Sequence, residues 1–289
     1  MTSRTFRWGL LALAAALVAN TVAGPLVTGW IDYPITESML NQLLGLEVVS
    51  LALVVPLLVV AAELVRRDHR AAAAVAFGPC GYAAYMFVQY VVGPAYTSYS
   101  LVVLAQVAIA SLAGAMTLAS WARLVRAPLP QLVHATRRGV VLLLLAAFVL
   151  ARYLPALAGG LTGAELSGEF REAPAFYWSI VLLDLGVVVP ATCVAGLAVL
   201  GRRPAGTAAY YAVLGWFALV PPSVASMAAV MVVRDDPYAS MGTFAFLTVA
   251  ALAMAGFAAA EFRRLFLERA PDRVSVATAL ASGPGSGEK

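Results

Sequence analysis

Lysine is almost missing from this chain: there is one, Lys289, against 18 arginines. Histidine occurs only at His69 and His134, and cysteine only at Cys80 and Cys193. Each scarcity excludes a chemistry. A Walker A loop needs Gly-Lys-Ser/Thr and a retinal Schiff base needs an intramembrane lysine, yet the sole lysine is the last residue. Both histidines fall in arginine-rich loops, where they read as solvated side chains. Intramembrane bis-histidine haem ligation, an HExxH zinc site and a buried Ser–His dyad therefore have no basis. Two isolated cysteines in apolar runs make neither a disulfide framework nor a redox pair and read as small buried hydrophobes. No nucleophile–base pair is legible, so an enzyme is not expected, and no cofactor or metal is called for.

Charge is scarce too, at 12% of 289 residues, whereas 62% are apolar. A soluble domain is about 25% charged and about 45–50% apolar, so this composition builds a polytopic membrane protein, an all-α transmembrane helix bundle. A span needs about 20 apolar residues. Eight segments qualify, at 8–30, 43–65, 71–93, 99–121, 139–158, 176–200, 207–233 and 241–262. They form one transmembrane domain over 1–270, and the Gly/Ser/Pro-rich stretch 271–289 is expected to be a disordered tail. Arg4, Arg7 and the run from Leu10 also fit a signal peptide, but Thr21-Val22-Ala23 is a poor cleavage site, and the length of the run favours a retained span.

The loops alternate in charge. Sixteen of the 19 basic residues fall before the first span or after the second, fourth, sixth and eighth. The opposite loops hold Arg171 and Arg234 and collect acid: Asp32, Glu37, Glu165, Glu169, Glu172, Asp235 and Asp236. The positive-inside rule then puts both termini in the cytoplasm of a bacterium's plasma membrane. Trp8 and Trp121 at inner span ends, and Trp30 and Trp178 at outer ends, fit interfacial belts. Orientation accounts for the net charge of +4, so the partner expected is the lipid bilayer and not nucleic acid, and no protein partner is specified.

The two halves share a pattern at an offset of 137: Glu47 with Asp184, Arg66 with Arg203, Gly78 with Gly215, Arg126 with Arg263. Four spans per half is even, so a duplication gives a parallel 4+4 repeat; recurring arginines between Ala/Leu/Val-rich spans give the same pattern without one. Glu47-Val-Val-Ser-Leu with Val55-Pro56-Leu57-Leu58, Gly81-Tyr82 through Tyr90 with Gly93, and Asp184-Leu-Gly-Val-Val-Val-Pro190 followed by Arg202-Arg203-Pro204 carry a resemblance. On them the chain resembles a group of multi-span integral membrane proteins from actinobacteria and related bacteria. The resemblance implies the helical membrane fold and no activity, since none is assigned to that group.

Ionisable groups inside the bilayer are costly and usually face the bundle interior with partners. Here they are Glu47, Arg152 and Asp184, at depths of roughly 6, 9 and 12 Å from the outer face at 1.5 Å per residue. Tyr85 and Gln89 share a face of the third span, Gln106 lies near the outer end of the fourth, and Ser226 follows Pro221-Pro222 in the seventh. Two readings remain. Glu47, Tyr85, Gln89, Gln106, Arg152, Asp184 and Ser226 line an outward-facing polar pocket for a small solute or lipid, or they are interhelical pairs in a structural, assembly or sensory component. Glu63 and Glu261 read as snorkelling partners of nearby arginines.

The topology is checked by cysteine labelling in a background lacking Cys80 and Cys193. Cysteines replacing Gly168 and Ser240 are expected to react with impermeant reagents on intact cells, and one replacing Ala205 only after permeabilisation; the reverse pattern overturns the orientation.

Overall fold

Apolar runs of this length can satisfy their backbone in lipid only as helices. In the computed structural model, which describes residues 1–166 and 168–267, they do so as eight helices long and apolar enough to cross a membrane. These are α1 (Ser3–Ala23), α2 (Glu37–Arg66), α3 (Ala72–Val92), α4 (Leu101–Leu124), α5 (Ala135–Thr162), α6 (Pro174–Leu200), α7 (Gly206–Val233) and α8 (Met241–Leu267). A single turn, Gly168–Arg171, precedes α6, and no strand occurs among the described residues. The segment 271–289 lies outside the described residues.

Caps move two boundaries from their expected places. Thr2 accepts a hydrogen bond from the Thr5 N–H, so α1 starts at Ser3, and Gly24-Pro25 ends it before Trp30. Thr36 caps α2 by accepting from the Met39 N–H, six residues ahead of the apolar run. Prolines shape the interiors. α5 breaks at Tyr153, just before Pro155, and α7 breaks between Phe217 and Val220, just before Pro221-Pro222.

α2 and α6 carry a π turn at the same place, Ser50–Val54 and Asp184–Val188, each followed by Val-Pro. A proline lacks the donor N–H and its ring presses on the carbonyl four residues back, and an extra residue in the turn relieves both. The chain then repeats at an offset of 134. Arg67 N–H donates to Glu63 O as Gly201 N–H does to Leu197 O, and His69 N–H to Leu64 O as Arg203 N–H to Ala198 O. Asp68 and Arg202 take the same left-handed conformation, at φ 49° and 50°.

Packing repeats as well. The second half of α2 packs on α1 and α3, and the second half of α6 on α5 and α7. α4 lies against α3 and α8 against α7; the first half of α2 leans on α7, and that of α6 on α3. The halves are therefore parallel, as an even number of crossings requires. The offset corrects the sequence pairing by three residues: Asp184 corresponds to Ser50, not Glu47. Three residues is nearly one turn, so Glu47 and Ser50 share a face and the acids misled the alignment.

The halves meet where α3 crosses α7. A Cβ on Gly78 would stand 2.4 Å from Gly215 O, so the backbones themselves are in contact. α2 meets α7 as closely at Gly45, whose Cβ would lie 2.5 Å from Met227 Cα. α3 is the most buried helix and α8 the least. Leu144 and Phe148 of α5, Leu182 and Val194 of α6, and Phe246 and Leu252 of α8 face outward, the surface a bilayer accepts. Trp8, Trp30 and Trp178 are exposed near helix ends, as interfacial rings are.

Gly78→Ala puts a methyl group into a backbone contact, and a loss of about 1–3 kcal/mol is expected, typical of overpacking. Thermal unfolding in detergent reads it, with Gly114→Ala, which meets nothing within 4 Å, as the silent control. Equal midpoints for both variants contradict the close crossing.

Candidate functional site

Asp184 opens the π turn of α6 and is 5% exposed. Its carboxylate is held by two hydroxyls: Tyr85 of α3 donates to Oδ1 at 2.8 Å, and Tyr153 of α5 donates to Oδ2 at 2.5 Å. Arg152 stands further off, with Nη2 3.9 Å from Oδ2. That nitrogen donates to the Tyr153 hydroxyl at 3.4 Å, and the guanidinium lies 5.3 Å from the Tyr153 ring centre. The Arg152 side chain is half exposed while Asp184 is buried. The three helices are thus pinned through tyrosines, with arginine as a peripheral charge. Hydrogen bonds to an ionised group are the strong kind, whereas an exposed ion pair at this distance contributes little.

Tyr85 belongs to a second feature. A groove of about 420 Å³ runs between α4 and α6, floored by α3 and α7. Gly114 and Leu118 form one wall, Leu183, Val187 and Ala191 the other, and Gly81, Tyr85 and Trp216 the floor. The lining is almost wholly apolar. Leu118 and Val187 are exposed, so the groove opens sideways, toward lipid. The Tyr85 hydroxyl, in turn, joins the groove to Asp184.

Glu47 and Gln106 belong to a different cluster. Glu47, one turn outward of the π turn in α2, is 1% exposed, and neither oxygen has a hydrogen bond. Tyr33, in the α1–α2 connection, is the nearest side chain able to donate to it. Tyr33 stacks on Tyr90 at 5.6 Å, and its hydroxyl accepts from Asn20 Nδ2 at 3.5 Å. Burial, and then the charge of Glu47, push the Tyr33 hydroxyl well above its ordinary pKa, so it keeps its proton. Tyr96 donates to Gln106 Oε1 at 3.4 Å.

The seven residues picked from sequence are therefore divided. Tyr85, Arg152 and Asp184 come together; Glu47 and Gln106 are elsewhere, linked through their common neighbour Tyr33. Gln89 is buried on α3 beyond Tyr85. Ser226 is drawn into the α2–α7 crossing, where its backbone abuts Gly45. Asp184, Glu47, Gln89 and Gln106 are all buried, in place of lining an open funnel.

Sequence reading grouped Tyr85 with Asp184 but missed Tyr153 and Tyr33 as neighbours of the acids, because tyrosines at span ends also serve as interface anchors. It missed Asp236 as well. This loop acid is 6% exposed and ties the α7–α8 connection to α2, accepting from Ser38 Oγ, Asn41 Nδ2 and Tyr238 N–H. Glu63 pairs with Arg66 and Arg67 at the surface. Glu261, in contrast, does not snorkel: it receives both arms of Arg138 at 2.8 Å in a buried pair joining α5 and α8. His69 is half-buried, stacked on Phe266 at 5.0 Å, with Nδ1 accepting from the Ala71 N–H. Burial, reinforced by Arg70, lowers its pKa, so it is uncharged at neutral pH. No family model, curated protein or solved structure matches the chain.

Tyr153→Phe strands one Asp184 oxygen, and a loss of about 1–3 kcal/mol is expected. Arg152→Gln removes a half-exposed charge and is expected to cost at most about 1 kcal/mol. Unfolding midpoints compare the two; the reverse order restores arginine as the principal partner.

Proposed function

We propose that the protein is a multi-pass component of a bacterial plasma membrane, both termini cytoplasmic, that binds or moves a lipid-like amphiphile through the groove between α4 and α6. The observation that carries this is the junction of an apolar slot with a polar cluster. Chain-sized, lipid-facing space runs over Tyr85, whose hydroxyl is bonded to Asp184, with Arg152 half exposed beside it. Such a junction suits a molecule with an acyl chain and a polar head, and a wholly hydrophilic solute less well. The orientation rests on the arginine-rich loops. Arg70 bonds Leu265 O and Arg123 bonds Met1 O, and these loops lie together at one end of the bundle.

A second reading has its own support. Asp184 is already satisfied by two hydroxyls, and Arg138 with Glu261 forms a buried pair at the start of α5. These are the habits of residues that hold helices together in a non-transporting assembly or sensory component.

Photo-crosslinking with a phospholipid carrying a diazirine in its acyl chain separates the two. The groove reading expects crosslinked peptides concentrated in α4 and α6, and a several-fold loss when Gly114→Leu fills the slot without lowering the unfolding midpoint. Crosslinks spread evenly over exposed helices, unchanged by Gly114→Leu, favour the structural component.

A further inference from the structure

Glu47 is fully buried, and the Tyr33 hydroxyl is the side-chain donor beside it. It is 1% exposed, both oxygens lack hydrogen bonds, and no Arg, Lys or His among the described residues pairs with it. Asp184, by contrast, is gripped at 2.5 and 2.8 Å. A bare carboxylate in a dry interior is among the costliest arrangements a protein can hold.

Its placement makes the charge worse. A Cβ on Gly24 would lie 2.9 Å from Glu47 Oε1 and 3.1 Å from Asn20 O, so the carboxylate sits against the last turn of α1. That end of a helix carries the negative pole and favours cations. Tyr33, from the α1–α2 connection, and Tyr90 of α3 neighbour Glu47; Asn20 of α1, Tyr96 of the α3–α4 connection and Gln106 of α4 neighbour Tyr33 in turn. The titratable groups among them are the three tyrosines, with Tyr82 behind Tyr90, and α7 brings Ser226 and Met227 against neighbouring Gly45.

These groups offer hydroxyl and amide oxygens, the hard donors that alkali cations prefer. The cluster is slack: its internal hydrogen bonds measure 3.4 and 3.5 Å, and Tyr90 Oη and Gln106 Nε2 have no partner. Bonds this long hold their oxygens weakly, so those oxygens can turn toward a charge at Glu47. One acid balances one positive charge. A divalent ion would ask for more, and no group of three or more His, Cys, Asp or Glu occurs among the described residues.

We propose that Glu47, with Tyr33 and Tyr90 beside it and Asn20, Tyr96 and Gln106 clustered on Tyr33, is the counter-charge of a single monovalent cation, a proton or a sodium ion. The site is separate from the α4–α6 groove and stands whether or not a lipid occupies that groove. Release of the cation leaves a buried anion, which couples occupancy to the packing of α1, α2, α3 and α4.

The test is thermal unfolding of the full chain in detergent, in sodium chloride or choline chloride at matched ionic strength, from mildly acidic to mildly alkaline pH. A proton held in the folded state and released on unfolding makes stability fall as pH rises. In choline, the wild type is expected to lose roughly 2–4 °C or more across this range, the scale of a modest stability change in a chain this size. If sodium is the ion, sodium chloride restores the midpoint at alkaline pH; if the proton is, sodium has no effect. In both cases Glu47→Gln removes the dependence. Identical pH and sodium responses in wild type and Glu47→Gln overturn the proposal. Should Glu47→Gln fail to fold, infrared spectroscopy of the wild type decides: a buried protonated-carboxyl band that Gln106→Leu perturbs, or that sodium abolishes, supports the site. Absence of both that band and any sodium response overturns it.

Discussion

Everything in this bundle is arranged around the contact between α3 and α7 at Gly78 and Gly215. Without side chains between them, two backbones approach closely enough that a single methyl group would not fit. In lipid there is little hydrophobic gain from pressing helices together, so close packing and interhelical hydrogen bonds must supply the cohesion. α3 provides both. At the crossing it gives up a side chain, at Gly78; beyond it, Tyr82 meets Ser223 at 2.7 Å, Tyr85 bonds Asp184, and Tyr90 lies near Glu47. One central helix thereby connects both halves to Asp184 and to Glu47.

The two π turns show how a repeat acquires different chemistry. Each relieves a proline in the middle of a membrane helix and presents the first residue of the turn to the interior. In α6 that residue is Asp184, which binds two tyrosines across α3 and α5. In α2 it is Ser50, which bonds back to its own helix at Leu46 O, and the acid sits one turn outward at Glu47. Same backbone, different depth: one carboxylate is saturated, and the other is left bare at the end of α1. The asymmetry also shapes the surface, because α4 and α6 are left apart above an α3–α7 floor and the groove forms between them.

Composition and charge alternation were enough for the eight helices and for which loops share an end, because a bilayer leaves a chain few alternatives. Glu47, Arg152 and Asp184 were legible as costly intramembrane groups for the same reason. What could not be read was rotation. Apolar all round, these helices carry no stripe to say which face turns inward, so Gln106 could not be assigned to Glu47 or Tyr85 to Asp184. Caps moved α1 toward the N-terminus, which brought Asn20 to the acid's depth. Tyr33 and Asp236 were hidden because they lie in loops, which sequence reasoning assigns to solvent. The repeat was visible but aligned one turn out, since acids are conspicuous and a π turn is not.

Two parallel halves, clasped at Gly78 and Gly215, leave a slot between α4 and α6 whose floor includes Tyr85, hydrogen-bonded to Asp184. Cryo-electron microscopy of the protein in a nanodisc of its native lipids tests this most directly. The account predicts elongated acyl density along Gly114, Val187 and Trp216, with α3 and α7 in backbone contact beneath it. A map in which α4 packs side chain to side chain against α6, leaving no slot, contradicts it.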